Sequence, residues 1–294
     1  MPHIFKVGDK DQWIAKIQRA LNEIIYSNLV TDGQYGERTG FAITEWQKMF
    51  NLTPDGVYDG ETARILDNYI TERFLTEQDY KNAADKLKVE VPLVKAVTEV
   101  ESSGNGFLKS GRVTILFERH VFYRELNKKI NSDQLFVDNL YKQLKLTKPL
   151  VGKSATEFLI KYLTDNYGDI YNSKPGGYQG TVNGVENEYK RMDKAKTLDN
   201  HTALLSVSYG LFQIMGFNYK SAGFDTVETM YSECARSERS QLDGFCNFVL
   251  NDKRLIGALQ KQDLTAFAIA YNGPAQNGYD KRLSEALIKW RTQT

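Results

Sequence analysis

The sequence predicts a mainly α protein in two parts: a three-helix module over residues 1–72 and an α-rich domain with a small β element over 73–294. Three observations carry this expectation. Asp32-Gly-Gln-Tyr-Gly-Glu-Arg-Thr39 recurs as Asp55-Gly-Val-Tyr-Asp-Gly-Glu-Thr62, an internal repeat confined to the first part. From Asp79 onward, the pattern of apolar residues is mainly helical. The exception is Gly111-Arg-Val-Thr-Ile-Leu-Phe-Glu118, whose alternation and β-branched residues predict a strand.

Each repeat unit reads as an Asp-Gly bend followed by a helix, with the Thr placed as its N-cap. Ala42, Ile43, Trp46 and Phe50 line one helix, and Ala63, Leu66 and Ile70 the next. An earlier helix carries Ile14, Ile17, Leu21 and Ile24 or Ile25, and Trp46 reads as core. Tyr35 and Tyr58 occupy matching places in the two units, where packing of the two turns is one reading of them. The charged run Thr71-Glu-Arg-Phe-Leu-Thr-Glu-Gln-Asp79 has no Pro/Gly/Ser tract and predicts a short, helical connection. Gly176, Gly177 and Gly180 predict a loop bordering a cleft.

Composition narrows the functional classes. No run of about 18 apolar residues predicts a membrane span. The first 72 residues hold seven Lys/Arg against eleven Asp/Glu, so a net −4 there faces +5 elsewhere. That excess is too small and too dispersed to predict nucleic-acid binding. His3, His120 and His201 are isolated and no zinc-binding spacing occurs, so neither a metal nor a cofactor is expected. Cys234 and Cys246 are expected to be reduced and buried.

The chemistry centres on Lys95-Ala-Val-Thr-Glu-Val-Glu101-Ser-Ser-Gly104. A helix starting at Pro92 and stopping near Gly104 and Gly106 carries the apolar stripe Leu93, Val97 and Val100. Glu101 borders that stripe at the helix end, whereas Glu99 is expected in water beside Lys95. A partly desolvated carboxyl at the negative end of a helix holds its proton more tightly than in water, as a general acid near neutral pH requires. An ordinary solvated glutamate is the competing reading of this helix alone.

Three further pieces follow: Ile115-Leu-Phe-Glu118-Arg-His120, Ser206-Val-Ser-Tyr-Gly210-Leu-Phe-Gln213-Ile-Met215-Gly216, and Ala268-Ile-Ala-Tyr271-Asn272-Gly273-Pro274. In this order they resemble the lysozyme-like superfamily of goose-type lysozymes and lytic transglycosylases. The last piece departs slightly, with Gly-Pro directly after Tyr-Asn. Val100–Phe107, Ile115–His120 and Ser208–Gly216 are together similar to the N-acetylmuramidase domain of bacteriophage endolysins, over roughly residues 80–290. Upstream, Ile17-Gln18, Leu21, Asp32-Gly33, Tyr35-Gly36, Thr39, Trp46-Gln47, Asp55-Gly56 and Thr62 resemble the small peptidoglycan-binding module of cell-wall hydrolases.

The resemblance implies a modular endolysin that cleaves the β-1,4 bond between N-acetylmuramic acid and N-acetylglucosamine, with peptidoglycan as partner. Glu101 matches the general acid. Glu118 matches a second acid, for activating water or stabilising positive charge; a salt bridge to Arg119 or Arg112 is its structural alternative. Ser208 and Gln213 are candidates for binding water or an acetamido group, Tyr271 for hydrogen-bonding the acid, and Asn272 for touching sugar. Tyr178 and Tyr209 are candidate sugar walls, and Tyr35 and Tyr58 candidate wall-binding residues. Three alternatives stand: a lytic transglycosylase forming 1,6-anhydro ends, a non-catalytic wall-binding phage component, and a metal-dependent amidase or peptidase. A monomer is expected, made in the host cytoplasm without a signal peptide and released through a separate pore.

Overall fold

The chain begins with helix α1 (Gln12–Ile25), whose N-cap Asp11 accepts a hydrogen bond from the Trp13 amide and whose Ile14, Ile17 and Leu21 are buried. Helices α2 (Glu37–Met49) and α3 (Gly60–Arg73) pack on it to form the expected three-helix module. The computed structural model describes residues 3–102, 105–147, 153–178, 185–274 and 277–293, so Gly104 and Gly180 lie outside the described residues.

The repeat in sequence becomes a repeat of hydrogen bonds. Gln18 Nε2 donates to Asp32 Oδ1, the Gln34 carbonyl and Thr39 Oγ1, while its Oε1 accepts from the Gly33 amide. Gln47 does the same with Asp55, Val57, Thr62 and the Gly56 amide. Each buried amide thus fastens one Asp-Gly turn to the following helix. The Thr N-cap expectation is corrected here: Gly36 and Asp59 are the N-caps, and Thr39 and Thr62 lie inside the first turns, accepting from the glutamines. Trp46 is core, as expected.

The connection is short. Only Phe74, Leu75 and Thr76 separate α3 from α4 (Glu77–Leu87), which opens with a Thr76–Asp79 capping box. Helix α5 (Val91–Ser102) follows, with Leu93, Val94, Ala96 and Val97 buried. Lys95 pairs with Glu77, not Glu99; Glu99 instead receives Lys289 and Trp290.

Strand β1 (Ile115–Phe117) leads into α6 (Arg119–Ser132), α7 (Gln134–Gln143), α8 (Lys153–Asn166), α9 (Val185–Leu198) and α10 (Asn200–Leu205). Strands β2 (Val207–Tyr209) and β3 (Ile214–Met215) complete an antiparallel sheet in the order β1-β2-β3, with Ile115 opposite Tyr209 and Tyr209 opposite Ile214. The chain closes with α11 (Val227–Arg236), α12 (Glu238–Asn251), α13 (Lys253–Gln260), α14 (Leu264–Asn272) and α15 (Tyr279–Thr292). Helix α9 covers β1, while α5 packs against α4 and α15. The architecture is mainly α with one small sheet, as the periodicity predicts. Cys234 and Cys246 are buried free thiols, both pushed up to about 12 by desolvation.

Candidate active site

Glu101 stands in the last turn of α5, where the helix end meets the start of α15. Burial pushes its carboxyl up from 4.5 to about 7, opposed more weakly by the Tyr279 hydroxyl and by the positive charge of Arg282. Glu101 Oε1 and Tyr279 OH are buried, and neither makes a hydrogen bond of good geometry. Tyr279 therefore acts on the acid as a nearby dipole, too weak to offset desolvation. Burial first, and the charge of Glu101 second, raise the proton affinity of Tyr271 and Tyr279, so both remain neutral phenols.

Glu101 lines a cavity of about 370 Å³ together with Asn105, Thr114 and Gln213. That volume lies in the range of small-ligand sites. The β2–β3 turn forms the Gln213 side. Gly210 has φ +66° and Gln213, unusually for a non-glycine residue, φ +47°. Two side-chain hydrogen bonds hold Gln213 there: Nε2 donates to the Gly210 carbonyl and Oε1 accepts from Ser208 Oγ, each at 2.8 Å. A side chain kept in a sparsely populated conformation at a cavity is a recognised mark of a functional position.

The other expected site residues fall differently. Ser208 is buried and its hydroxyl serves Gln213, so it positions that amide and does not line the cavity. Tyr271 was expected to hydrogen-bond the acid; its hydroxyl instead donates to the Phe212 carbonyl at 2.8 Å, and its ring stacks on Phe267. Asn272 is exposed at the end of α14, outside the cavity. Tyr35 and Tyr58 are buried, with hydroxyls bonded to the Gly56 carbonyl and to Asp67. Neither ring offers a free face to a sugar, so the packing alternative is the one observed. Tyr209 is likewise buried, against Leu204.

Glu118 is paired with neither Arg119 nor Arg112. Arg119 donates to the Lys174, Gly168 and Pro175 carbonyls, while Arg112 lies over the Tyr189 ring. The Glu118 carboxylate accepts from Tyr178 OH at 2.9 and 3.0 Å, and His120 Nδ1 lies 3.2 Å away, off the line of a hydrogen bond. Glu118 does not line the Glu101 cavity. It follows Thr114 by four residues, roughly 13 Å of extended chain.

Sequence reasoning missed the support behind the site. Helix α12 sends Glu238 to the Gly106 amide at 3.1 Å and Gln241 to the Leu211 amide at 2.8 Å. One helix thus braces both the loop after Glu101 and the turn before Gln213. Close approach requires glycine at Gly210, where a Cβ would overlap the Gln241 amide and the backbone is left-handed. Gly210→Ala is expected to lower stability by about 2–4 kcal/mol, combining overpacking with left-handed strain; thermal unfolding measures it, and an unchanged midpoint would contradict this packing.

An α-rich domain with a desolvated glutamate over a cavity, joined to a three-helix module with paired Asp-Gly turns, defines a modular glycoside hydrolase. The N-acetylmuramidase family model matches residues 90–291 and a peptidoglycan binding domain matches residues 11–66. The chain therefore belongs to the N-acetylmuramidase family, as a peptidoglycan hydrolase with its own peptidoglycan-binding domain. Among solved structures it is similar to the Burkholderia AP3 phage endolysin, with 33% identity, TM-score 0.60, and coverage of 99% of this chain and 100% of that one. No curated protein matches it.

Proposed function

We propose that the protein is an endolysin that hydrolyses the β-1,4 bond from N-acetylmuramic acid to N-acetylglucosamine, with Glu101 as proton donor. The observation that supports this most directly is a carboxyl pushed up to about 7 by burial at the edge of a cavity of about 370 Å³. Such a group is still partly protonated near neutral pH and can pass its proton to the glycosidic oxygen as the bond breaks. Gln213 offers its amide to water or to an acetamido group, and Tyr271 keeps the Phe212 end of the turn in place. Asn272 is assigned an outer sugar contact. Glu118, fixed by Tyr178, is assigned the supporting part of orienting water or stabilising positive charge. The chain acts on the wall after release by a separate pore; among the described residues no helix is long and apolar enough to cross a membrane.

Transglycosylation is the second reading, and one observation favours it: the second acid, Glu118, does not line the cavity of the first. Mass spectrometry of digested peptidoglycan separates the two. Reducing N-acetylmuramic ends are expected from the native chain, and about 10²–10⁴-fold fewer in the same time from Glu101→Gln. Products lighter by one water would overturn hydrolysis, and Glu118→Gln would then leave the yield intact.

A further inference from the structure

The Glu101 cavity is not built by the catalytic domain alone. Arg19, Asn22 and Thr31 of the wall-binding module line it together with Glu101 and Gln213. A second hollow of about 230 Å³ adjoins it, sharing Asn22 and Lys109 and adding Tyr26, Asn28 and Ser110. The two hollows make a path from Glu101 onto the module.

That path rests on a fixed contact between the two parts. Arg19 pairs with Glu238, whose same carboxylate oxygen accepts from the Gly106 amide beside the cavity. The module is thereby tied to the loop that follows the catalytic helix. Arg73 pairs with Glu23 at 3.0 Å and donates to carbonyls of Gly111, Ala235 and Arg236. Asn22 bonds both backbone groups of Leu29, fixing the loop that presents Thr31, and Lys109 donates to Asn28 Oδ1 at 2.9 Å across the boundary. At the far end Tyr26 is 75% exposed, in a left-handed conformation that ends α1.

We propose that the module supplies a distal saccharide subsite of the catalytic cleft, in which Tyr26 stacks on a sugar of the same glycan strand that Glu101 cleaves. This deepens the muramidase reading and rests on it. An exposed aromatic ring suits the apolar face of a pyranose. Lys109, which lines both hollows, is placed to meet a carboxylate of the stem peptide or, where no peptide is attached, the lactyl carboxylate of muramic acid. The wall-binding module is then part of the active site as well as an anchor.

The test uses soluble, uncrosslinked glycan chains of several disaccharides, on which anchoring to an insoluble wall plays no part. Tyr26→Ala in the full-length protein is expected to raise KM about three- to tenfold with kcat unchanged, the pattern of a lost uniform binding contact. Phe41→Ala, which removes a comparably exposed aromatic outside both hollows, is expected to leave KM unchanged. An unchanged KM for Tyr26→Ala, with Glu101→Gln inactive, would overturn the shared cleft and leave the muramidase reading standing. Reduced sedimentation with whole walls but normal KM on soluble chains would also overturn it, reducing the module to an anchor. Full activity of Glu101→Gln would remove the reading on which the subsite depends.

Discussion

Glu101→Gln is expected to lower turnover of purified cell walls by about 10²–10⁴-fold, the contribution of a positioned general acid. With Glu101 as the proposed proton donor, native activity should fall as pH rises through about 7, where its carboxyl loses the proton. A limb nearer 4.5, the ordinary value, would mean that the carboxyl is not desolvated during turnover. The same shift acts on stability. The folded chain holds this proton more tightly than the unfolded one, so unfolding free energy falls between about pH 4.5 and pH 7 and levels off above. A shift of that size corresponds to about 3 kcal/mol. Glutamine has no proton to lose, so the variant should unfold at a higher temperature than the native chain at about pH 8, with the gain shrinking toward about pH 5. Equal midpoints at both pH values would contradict the burial of the charge.

Arg73→Ala is expected to destabilise the chain by about 3–5 kcal/mol, the cost of stripping one partner from a buried pair. The side chains of Arg73 and Glu23 are only 14% and 4% exposed, and Tyr69 also donates to Glu23. Desolvation alone raises the proton affinity of Glu23, so without Arg73 the carboxylate would be buried with little compensation. The guanidinium also lies 3.4 Å from the Phe107 ring centroid, a contact that disappears with it. Chemical denaturation of Arg73→Ala, Glu23→Gln and the double variant measures the coupling. The double variant should recover much of the loss; strict additivity would show that the two side chains do not depend on each other.

Much of the molecule was legible in the chain because its signals are local. The helices follow apolar spacing, and the Asp-Gly repeat announces two equivalent turns. Glu101 stood out at a helix end beside an apolar stripe, where a solvated glutamate was the competing reading, and the later motifs in family order singled it out. The errors have a common origin. Tyr35 and Tyr58 have the composition of sugar-stacking residues, yet both rings are buried and both hydroxyls are satisfied inside the module. Tyr271 lies close enough to Glu101 to feel its charge, but its hydrogen bond goes to the Phe212 carbonyl. Ser208 reads as a ligand contact and proves to hold Gln213. A sequence shows which polar atoms are present; it does not show how they pair.

Glu238 and Gln241 make the same point from the opposite side. In sequence they look like ordinary polar residues near a helix start, and only burial reveals that they brace the two edges of the cavity. What the sequence by itself determined is the two-part helical organisation, the acid at the end of α5, and the family to which the chain belongs, because these rest on periodicity and on motifs in order. What only the tertiary structure decided is which side chains share a space with that acid: Tyr279 beside it, and Gln213 together with Arg19, Asn22 and Thr31 of the module around the same cavity. These neighbours come from segments far apart in the chain, and their meeting depends on the Arg19–Glu238 ion pair and the hydrogen bonds from Arg73 to the Ala235 and Gly111 carbonyls that hold the two parts together.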